Sequence, residues 1–304
     1  MCNLINADFA VDWPDRSMSE DDVRRLLIEA PGVDPGRDVR LWESDDGQLV
    51  GAGQLCGHPR GLAVRELGFG WFVHPSVRRR GLEASIHAWG LARLAEIAGD
   101  QGLPARLVCR AWAGAAYRHA VLDVQGYRAV RYGFKMTRSL ADPLTEPVLP
   151  PGYTLRPTGE AADVAAWVAL YNAAFADHWG FRPWTVAEHR HWLRAPYYRT
   201  DGDLLAVAAD DRPAAFCLCW IDPAANRRHG RNEGWIALLG THPAHRRRGL
   251  GQALLRAGLH WLRAAGVATA ALKVDVENAT GALRLYESCG FVQADGQVIY
   301  QRDF

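Results

Sequence analysis

The sequence predicts an α/β fold with a mixed sheet (α+β), built as two tandem domains of the same kind, and three observations support this prediction. The chain has 304 residues, twice the length of a domain of about 150 residues. The segments HPSVRRRGL (74–82) and HPAHRRRGL (242–250) repeat each other at an offset of 168 residues. In each copy an apolar, strand-like run precedes this segment and an amphipathic helical stretch follows it.

The second copy reads as the order βααβββαβαβ. Short apolar runs bounded by turn residues predict its strands, at 153–156, 204–209, 214–221, 235–241, 267–276 and 298–304. Helical periodicity predicts helices at 160–176, 185–195, 249–265 and 279–288. Thr185 with Glu188 three residues later has the pattern of a capping box, and Gly290 is placed to end the last helix.

Composition also predicts the domain boundaries. The stretch 141–151 has four prolines and no apolar periodicity, which is typical of a linker. We therefore expect a first domain at 1–140 and a second at 152–304. Shifted by the repeat offset, the first copy begins about 15 residues late, so we expect it to be N-terminally shortened, without its first strand or part of its first helix.

Charge and composition exclude several classes of protein. Lys plus Arg is 35 and Asp plus Glu is 34, so the near-zero net charge gives no global attraction to nucleic acid or an anionic membrane. No apolar run reaches the ~20 residues of a membrane span, and no signal peptide is evident. We expect a cytoplasmic monomer or homodimer. The six cysteines form no CxxC pair, so we expect reduced thiols and no metal site.

The segment 238–252, LLGTHPAHRRRGLGQ, is the motif that predicts chemistry. It joins a strand to a helix through a basic loop, and such a loop presents backbone N–H groups and the positive end of a helix dipole to an anion. Gly249 and Gly251 allow the backbone to approach a phosphate closely. A Rossmann fingerprint is excluded because Leu254 stands at the third glycine position, and the GK[ST] of a P-loop is absent.

Two motifs carry a resemblance to a known family. Residues 246–251, RRRGLG, resemble the R/Q-x-x-G-x-G/A acyl-CoA loop of the GNAT superfamily of N-acetyltransferases. Residues 278–291 resemble its N-x-x-x-A-x-x-x-Y-x-x-x-G-F pattern through Asn278, Ala282, Tyr286, Gly290 and Phe291. The tandem arrangement is most similar to the mycothiol synthase group of that superfamily, over nearly the whole chain.

The resemblance implies a site in the second copy. Acetyl-CoA would lie between two central strands, with no metal involved. Its thioester carbonyl would accept a hydrogen bond from the N–H of Leu239, and Tyr286 would protonate the departing thiolate. The implied cofactor-binding residues are Leu239, Gly240, Thr241, Arg246, Arg247, Arg248, Gly249, Leu250, Gly251, Gln252, Asn278 and Tyr286.

The first copy departs from this pattern. Leu122 stands at the position of Tyr286 and Gly114 at that of Asn278. Glu83 replaces Gly251, and a carboxylate there would repel a pyrophosphate. We therefore expect the first copy to be degenerate, although a relict acyl-CoA site in it remains an alternative.

The general base and the acceptor site have weaker signals. Glu233 lies at the start of the expected central strand. If side chains alternate regularly along the strand, Glu233 is on the same face as Leu239, which makes it one candidate base. Asp177 and His178 are rival candidates, because they fall between the first two helices, where the family places the acceptor. With Trp179 and the aromatic residues up to Trp184 they would bind the acceptor.

The sequence thus predicts an acyl-CoA-dependent N-acyltransferase, most simply an acetyltransferase, that acts on a primary amine of a small molecule by direct attack on the thioester. A mycothiol synthase proper is an alternative. An alternative of another class is a non-catalytic acyl-CoA-binding or sensing protein.

Overall fold

The computed structural model describes residues 1–14, 16–57, 65–99, 104–159, 163–277 and 281–304. The chain divides into two compact units. The first comprises residues 1–133 and 296–304, and the second comprises residues 134–295.

The first repeat begins with helices and continues into strands. Its elements are α1 (Cys2–Asp12), α2 (Glu20–Val23) with a π turn (Arg24–Ile28), α3 (Pro35–Asp38), β1 (Val39–Glu43), β2 (Leu49–Cys56), β3 (Arg65–Val73), α4 (Leu82–Gly99), β4 (Ala105–Trp112), α5 (Ala116–Val124) and β5 (Arg128–Ser139). Ser19 caps α2 through a capping box with Asp22, which fixes where that helix starts.

The second repeat follows the same plan and opens with an additional strand. Its elements are β6 (Tyr153–Pro157), α6 (Asp163–Phe175), α7 (Val186–Trp192), β7 (Asp203–Ala208), β8 (Pro213–Trp220), α8 (Pro223–His229), β9 (Glu233–Thr241), α9 (Leu250–Ala264), β10 (Thr269–Asp275), α10 (Ala282–Ser288) and β11 (Val292–Asp303). The segment 141–151 carries no helix or strand.

The last strand of each repeat runs through both units. Strand order in the first unit is β1-β2-β3-β4-β11-β5, and in the second it is β11-β5-β10-β9-β8-β7-β6. The C-terminal strand β11 thus pairs antiparallel with β4, from Gln297 opposite Trp112 to Asp303 opposite Arg106. Residues 134–139 of β5 belong in turn to the second unit, beside β10. The first repeat therefore contributes side chains to the second unit.

The core of the second unit lies between the sheet and α9. Leucines at helical spacing on α9 are buried and pack on β8, β9 and β10; they are Leu250, Leu254, Leu255, Leu259 and Leu262. The other face of the sheet is covered by α6, where Trp167 packs against Phe216. Each such buried side chain contributes about 1.5–3 kcal/mol of transfer free energy, so both faces stabilise the sheet.

Most expected elements are confirmed. The Thr185 capping box is present, and buried free thiols occur as expected at Cys109, Cys217, Cys219 and Cys289. The last strand starts at Val292 rather than at residue 298. Helix α8 was not predicted, and the start of the 160–176 helix lies outside the described residues. Among the described helices none is long and apolar enough to cross a membrane.

Candidate active site

The parallel strands β9 and β10 separate partway along their length. They pair in register from Glu233 opposite Thr269 to Trp235 opposite Ala271, which is three residue pairs. Strand β9 then continues for six more residues to Thr241, and β10 continues for four more to Asp275. Leu239, Gly240 and Thr241 therefore lie on the part of β9 beyond the pairing, beside an opening in the sheet.

A β-bulge on β9 changes which residues share a face. Leu239 is opposite Cys217 and Ile236 is opposite Cys219, so Ala237 is an extra residue in the ladder. Because Cys217 and Cys219 lie on one face, Leu239 lies on the face of Ile236, which α9 covers. Glu233 is three residues from Ile236 and lies on the opposite face. The expectation that Glu233 and Leu239 share a face was therefore wrong.

Tyr286 lies in the core cluster against which Leu239 packs. It is 8% exposed and packs in the core formed with α9, against Phe291. Burial raises the pKa of its hydroxyl well above the usual range, and the thiol of Cys217 adds to the effect. Since Cys217 is the cross-strand partner of Leu239, the structure brings the Tyr286 ring and the Leu239 backbone to the same region.

The loop between β9 and α9 has a backbone that suits an anion. Arg247 and Gly249 both have positive φ, 60° and 87°, and α9 starts directly after Gly249. Arg246 is extended, and the two left-handed residues turn the chain into α9. The unpaired N–H groups of the first helical turn and the helix dipole give positive potential at this point. A Cβ on Gly251 would lie 3.6 Å from Leu285 and 3.8 Å from Thr241, so Gly251 faces both α10 and the end of β9.

Two of the three loop arginines are used to hold the loop in place. The Arg246 guanidinium donates to the carbonyl of Ala174 at 3.0 Å and to the carboxylate of Asp177 at 3.2 Å. Arg248 donates to the Tyr153 hydroxyl at 3.1 Å. Arg247 is exposed. Asp177 is therefore brought to the loop, whereas the predicted ligand Asn278 lies outside the described residues.

The remaining predicted site residues divide into two groups. His178 is half-buried and its Nδ1 is 3.0 Å from the carbonyl oxygen of Trp179. Because a carbonyl only accepts, Nδ1 carries the proton and Nε2 of the neutral ring is the acceptor. Glu233 instead accepts from Lys135 Nζ at 2.9 Å in a buried ion pair. It lies six residues from Leu239, about 20 Å along the strand.

In the first unit, side chains fill the region that corresponds to the opening beside Leu239. The Glu83 carboxylate accepts from the backbone N–H of Arg79 at 2.6 Å and from the Tyr117 hydroxyl at 2.6 Å. Arg118 donates to the carbonyl of Trp71, the residue equivalent to Leu239, at 3.0 Å. Tyr117 and Arg118 stand where the second repeat has Gly281 and Ala282.

A buried ion network completes the filling of the first unit. Asp8 pairs with Arg78 at 2.9 Å and also with Arg118, and Asp12 pairs with Arg78 at 2.8 Å. Asp8 and Asp12 are 0% and 3% exposed. Arg78 is the repeat equivalent of Arg246, and both also approach the last carbonyl of the preceding strand. The first arginine of each loop therefore has the same anchoring role.

Sequence reasoning missed two lysines near the site. Lys135 Nζ and Lys273 Nζ lie 5.1 and 6.0 Å from the ring centroid of Trp235. They are the only two lysines in the chain, because the other 33 of the 35 Lys and Arg residues are arginines. This rarity is the feature of the sequence that could have drawn attention to them. Among the described residues no group of three or more His, Cys, Asp or Glu side chains could hold a metal ion.

A mixed sheet whose parallel strands β9 and β10 separate, followed by a loop with two left-handed residues at the start of α9, is the arrangement of the GNAT fold. The sequence profile of the acetyltransferase (GNAT) family matches residues 164–291. A mycothiol acetyltransferase from Thermobispora bispora is 35% identical over 277 residues, which cover 91% of this chain and 87% of the relative. One from Nocardia farcinica is 32% identical over 314 residues, covering 96% and 98%.

Solved structures agree on the fold. A GCN5-related N-acetyltransferase from Sphaerobacter thermophilus matches with a TM-score of 0.74 at 24% identity, covering 99% of this chain and 91% of that one. A tandem GNAT protein from the clavulanic acid biosynthesis pathway matches with a TM-score of 0.70 at 19% identity, covering 99% and 93%. The chain belongs to the GNAT family of acetyltransferases and is an N-acetyltransferase with a tandem GNAT fold.

Proposed function

We propose that the second unit binds acetyl-CoA between β9 and β10 and transfers the acetyl group to a primary amine of a small molecule. The observation that carries this proposal is the opening between the two strands beyond Trp235 and Ala271, which has the phosphate-type loop at its end. Both features lie in the matched residues 164–291.

The pyrophosphate would be held by the loop 246–252. Its backbone N–H groups and the exposed Arg247 guanidinium supply the donors, and the dipole of α9 favours the negative charge. The first unit offers a test of this fit within the same chain. There the Glu83 carboxylate, an anion, accepts from an N–H of the equivalent loop. This supports the view that the loop conformation selects an anion.

The chemistry of transfer would use two groups of the second unit. The Leu239 N–H would donate to the thioester carbonyl oxygen as negative charge develops on it, and removal of one such donor in other enzymes costs about 3–4 kcal/mol. The amine nitrogen would form the new C–N bond as the C–S bond breaks. Tyr286 would give its proton to the departing sulfur, and its raised pKa keeps that proton in place until then.

His178 is the better-placed base for the amine proton. Its Nδ1–H is held by the Trp179 carbonyl, so Nε2 can accept. The neighbouring Asp177 is bound to Arg246, which places this segment at the loop. Glu233 is distant, faces the other way from Leu239 and is neutralised by Lys135, and these observations favour a structural role for it.

The first unit would not bind acetyl-CoA. Glu83, Tyr117 and Arg118 fill the equivalent opening, and Leu122 replaces the acid Tyr286. We propose that this unit is a structural partner that supplies residues 134–139 of β5 to the working unit.

The names of the relatives make the mycothiol precursor a specific second candidate for the acceptor. A screen of acetyl-CoA consumption over the mycothiol precursor, polyamines, aminoglycosides and amino acids tests the proposed activity. We expect amine-dependent release of the CoA thiol. CoA binding with no release for any amine would contradict the transfer reaction and favour a sensing role.

A further inference from the structure

The first unit has a surface groove between β1, α3 and one side of α4. Its volume is about 710 Å³, which lies within the range of small-molecule sites. All of its lining residues belong to the segment 1–133, and none of them belongs to the acyl-donor site. We refer to this groove as the α4 groove, and its charged and aromatic lining consists of Arg37, Arg40, Trp42, Trp89, Arg93 and Glu96.

The second repeat shows which segments cover the corresponding place there. Strand β7, which corresponds to β1, is paired along its length with β6. Leu144 and Leu149, which lie just before β6, pack on the core cluster that includes α9, the helix that corresponds to α4. Strand β1 instead pairs only with β2 among the described strands. These covering segments have no counterpart beside β1, so the α4 groove is open to solvent.

The side of α4 that lines the groove carries small side chains. Ala88 and Ala92 are exposed there, one helical turn apart. At the corresponding positions of α9 the second repeat has the longer side chains Arg256 and His260. The alanines therefore leave the space above the groove floor free.

Two tryptophan rings form this floor. Trp42 of β1 and Trp89 of α4 meet edge-on, with ring centroids 5.9 Å apart and 80° between the ring planes. Trp89 approaches the sheet closely, because a Cβ on Gly53 of β2 would lie only 2.7 Å from its ring. Both rings are half-buried, so part of each indole reaches solvent. The floor therefore offers a flat apolar surface on which another ring can stack.

Two of the three arginines of the groove are paired with carboxylates. Arg93 is buried and donates to Asp38 and to Glu96, each at 2.8 Å. Arg37 is exposed and lies 3.5 Å from the same Glu96 carboxylate. The three arginines of the groove therefore share two carboxylates.

Arg40 is the arginine without a carboxylate. It is exposed, and it has no ion pair with any residue that the structure describes. Its cross-strand partner is Gly53, over which Trp89 lies, so Arg40 is on the face of β1 that α4 covers. Its guanidinium carbon lies 5.4 Å from the centroid of the Trp42 ring. A guanidinium held over a ring keeps N–H donors in its own plane, and two of them fit a carboxylate or a phosphate.

We propose that the α4 groove binds a small molecule that carries both a flat aromatic ring and an anionic group, either a carboxylate or a phosphate. The ring stacks on the tryptophan floor, and the anion accepts hydrogen bonds from Arg40, with Arg37 adding positive charge beside it. This site is separate from acetyl transfer. It gives the degenerate repeat a binding role of its own, in addition to its structural one.

Five probes separate the contribution of the ring from that of the anion. Phenylacetate and phenyl phosphate carry both groups, phenylacetamide carries the ring alone, and acetate and inorganic phosphate carry the anion alone. Each is titrated into the full chain and followed by NMR through the indole N–H signals of Trp42 and Trp89, assigned with Trp42→Phe and Trp89→Phe.

We expect at least one of the two aromatic anions to shift both indole signals and to bind at least about tenfold more tightly than phenylacetamide and than its own ring-free anion. Which of the two does so distinguishes a carboxylate ligand from a phosphate ligand. The proposal is overturned if neither aromatic anion shifts these two signals. It is also overturned if phenylacetamide or the ring-free anions bind as tightly as the aromatic anions.

Arg40→Gln tests the cation, and Arg128→Gln is its matched control. Both variants lose one positive charge from the first unit, but Arg128 is exposed at the start of β5 and does not line the groove. In Arg40→Gln the Kd of the preferred aromatic anion should rise about five- to tenfold, and in Arg128→Gln it should keep the wild-type value. An unchanged Kd in Arg40→Gln contradicts the assignment of Arg40.

Ala92→Glu tests the groove without removing any contact of the fold, since Ala92 is exposed on α4. The added carboxylate occupies the groove and repels an anion, so binding of the preferred aromatic anion should be lost. The indole signals of the tryptophans outside the groove, unchanged from wild type, show that the variant is folded. Wild-type affinity in the folded variant places the ligand elsewhere and overturns the proposal.

Discussion

The carboxylate of Glu83 accepts a hydrogen bond from the backbone N–H of Arg79, four residues earlier, at 2.6 Å. Arg79 is in the left-handed conformation with φ of 63°, as is its repeat equivalent Arg247 with φ of 60°. The same loop conformation is thus kept in both repeats, and in the first one the chain supplies its own anion. Burial alone would raise the pKa of Glu83, but hydrogen bonds from Tyr117 and Arg79 lower it overall, so the carboxylate stays charged.

Glu83→Gln therefore should destabilise the first unit. Both donors bind the same oxygen, so the amide oxygen can still accept from Arg79 and Tyr117, but it carries no charge. The expected loss is about 1–3 kcal/mol in the free energy of unfolding. Denaturant unfolding measures this loss. The kcat of the wild-type and variant proteins should agree at 25 °C, and a fall in kcat without a change in stability would instead place Glu83 in a working site.

Tyr286→Phe should lower kcat by about ten- to a hundredfold, the lower part of the range for general acid catalysis, because a thiolate is already a fair leaving group. The KM of acetyl-CoA should change little, since the ring still fills its place in the core. Steady-state kinetics checks both values. Tyr300→Phe in the first unit is the control: the Tyr300 hydroxyl lies 2.7 Å from Nδ1 of His119, and neither residue belongs to the proposed site. A large rise in the KM of acetyl-CoA would mean that Tyr286 is structural.

The base assignment is tested by His178→Gln and Glu233→Gln together. His178→Gln should lower kcat about a hundredfold. Glu233→Gln leaves Lys135 buried without its carboxylate partner and should cost about 3–5 kcal/mol of stability, with kcat preserved in the folded protein. The opposite pattern, in which Glu233→Gln lowers kcat in the folded protein and His178→Gln does not, would restore Glu233 as the base.

Buried histidines should make the protein less stable in acid. Burial lowers the pKa of His189, which stacks on Trp167 with centroids 4.1 Å apart, to about 4. In the unfolded chain His189 has a pKa of 6.5. Below that pH the unfolded state binds a proton at His189 and the folded state does not, so the free energy of unfolding falls as the pH drops toward 4. One such group contributes a slope of up to about 1.4 kcal/mol per pH unit.

The comparison that isolates this effect is wild type against His189→Phe, which keeps the aromatic stack. Burial raises the pKa of Asp203 to about 6, so this carboxyl makes the protein more stable as the pH falls from 6 to 4, the opposite of the effect of His189. Asp203 is present in both proteins, so its effect cancels in the comparison. The unfolding free energy of His189→Phe should depend less steeply on pH between 6.5 and 4.5. If the unfolding free energies of the two proteins depend equally on pH, His189 binds its proton at the same pH in the folded and unfolded states.

Local signals allowed much of the fold to be predicted. The capping box at Thr185 and the repeated loop are determined by residues within a few positions of each other, and both are present. Helix α8 was not predicted, although the residues at its ends are typical of helix ends. Asp222 is the N-cap, Pro223 is in the first turn, and Gly230 is a left-handed C-cap. Its short length and weak apolar pattern hid these signals.

Long-range features could not be predicted. The bulge at Ala237 depends on how β9 pairs with β8, and it reversed the face assigned to Glu233. The placement of β11 beside β4 joins residues nearly 200 positions apart, and nothing local specifies it. The position of Lys135 beside Trp235 is a long-range feature of the same kind, because Lys135 lies in the part of β5 that belongs to the second unit.

The most direct test of the central claim, that only the second unit binds the acyl donor, is a calorimetric titration of CoA into wild type, Gly251→Ala and Gly251→Glu. We expect one site per chain in wild type and in Gly251→Ala, because a Cβ there makes only ordinary contacts at 3.6 and 3.8 Å. Gly251→Glu copies the first repeat and should abolish binding. Two sites in wild type, or a site that persists in Gly251→Glu, would contradict the claim.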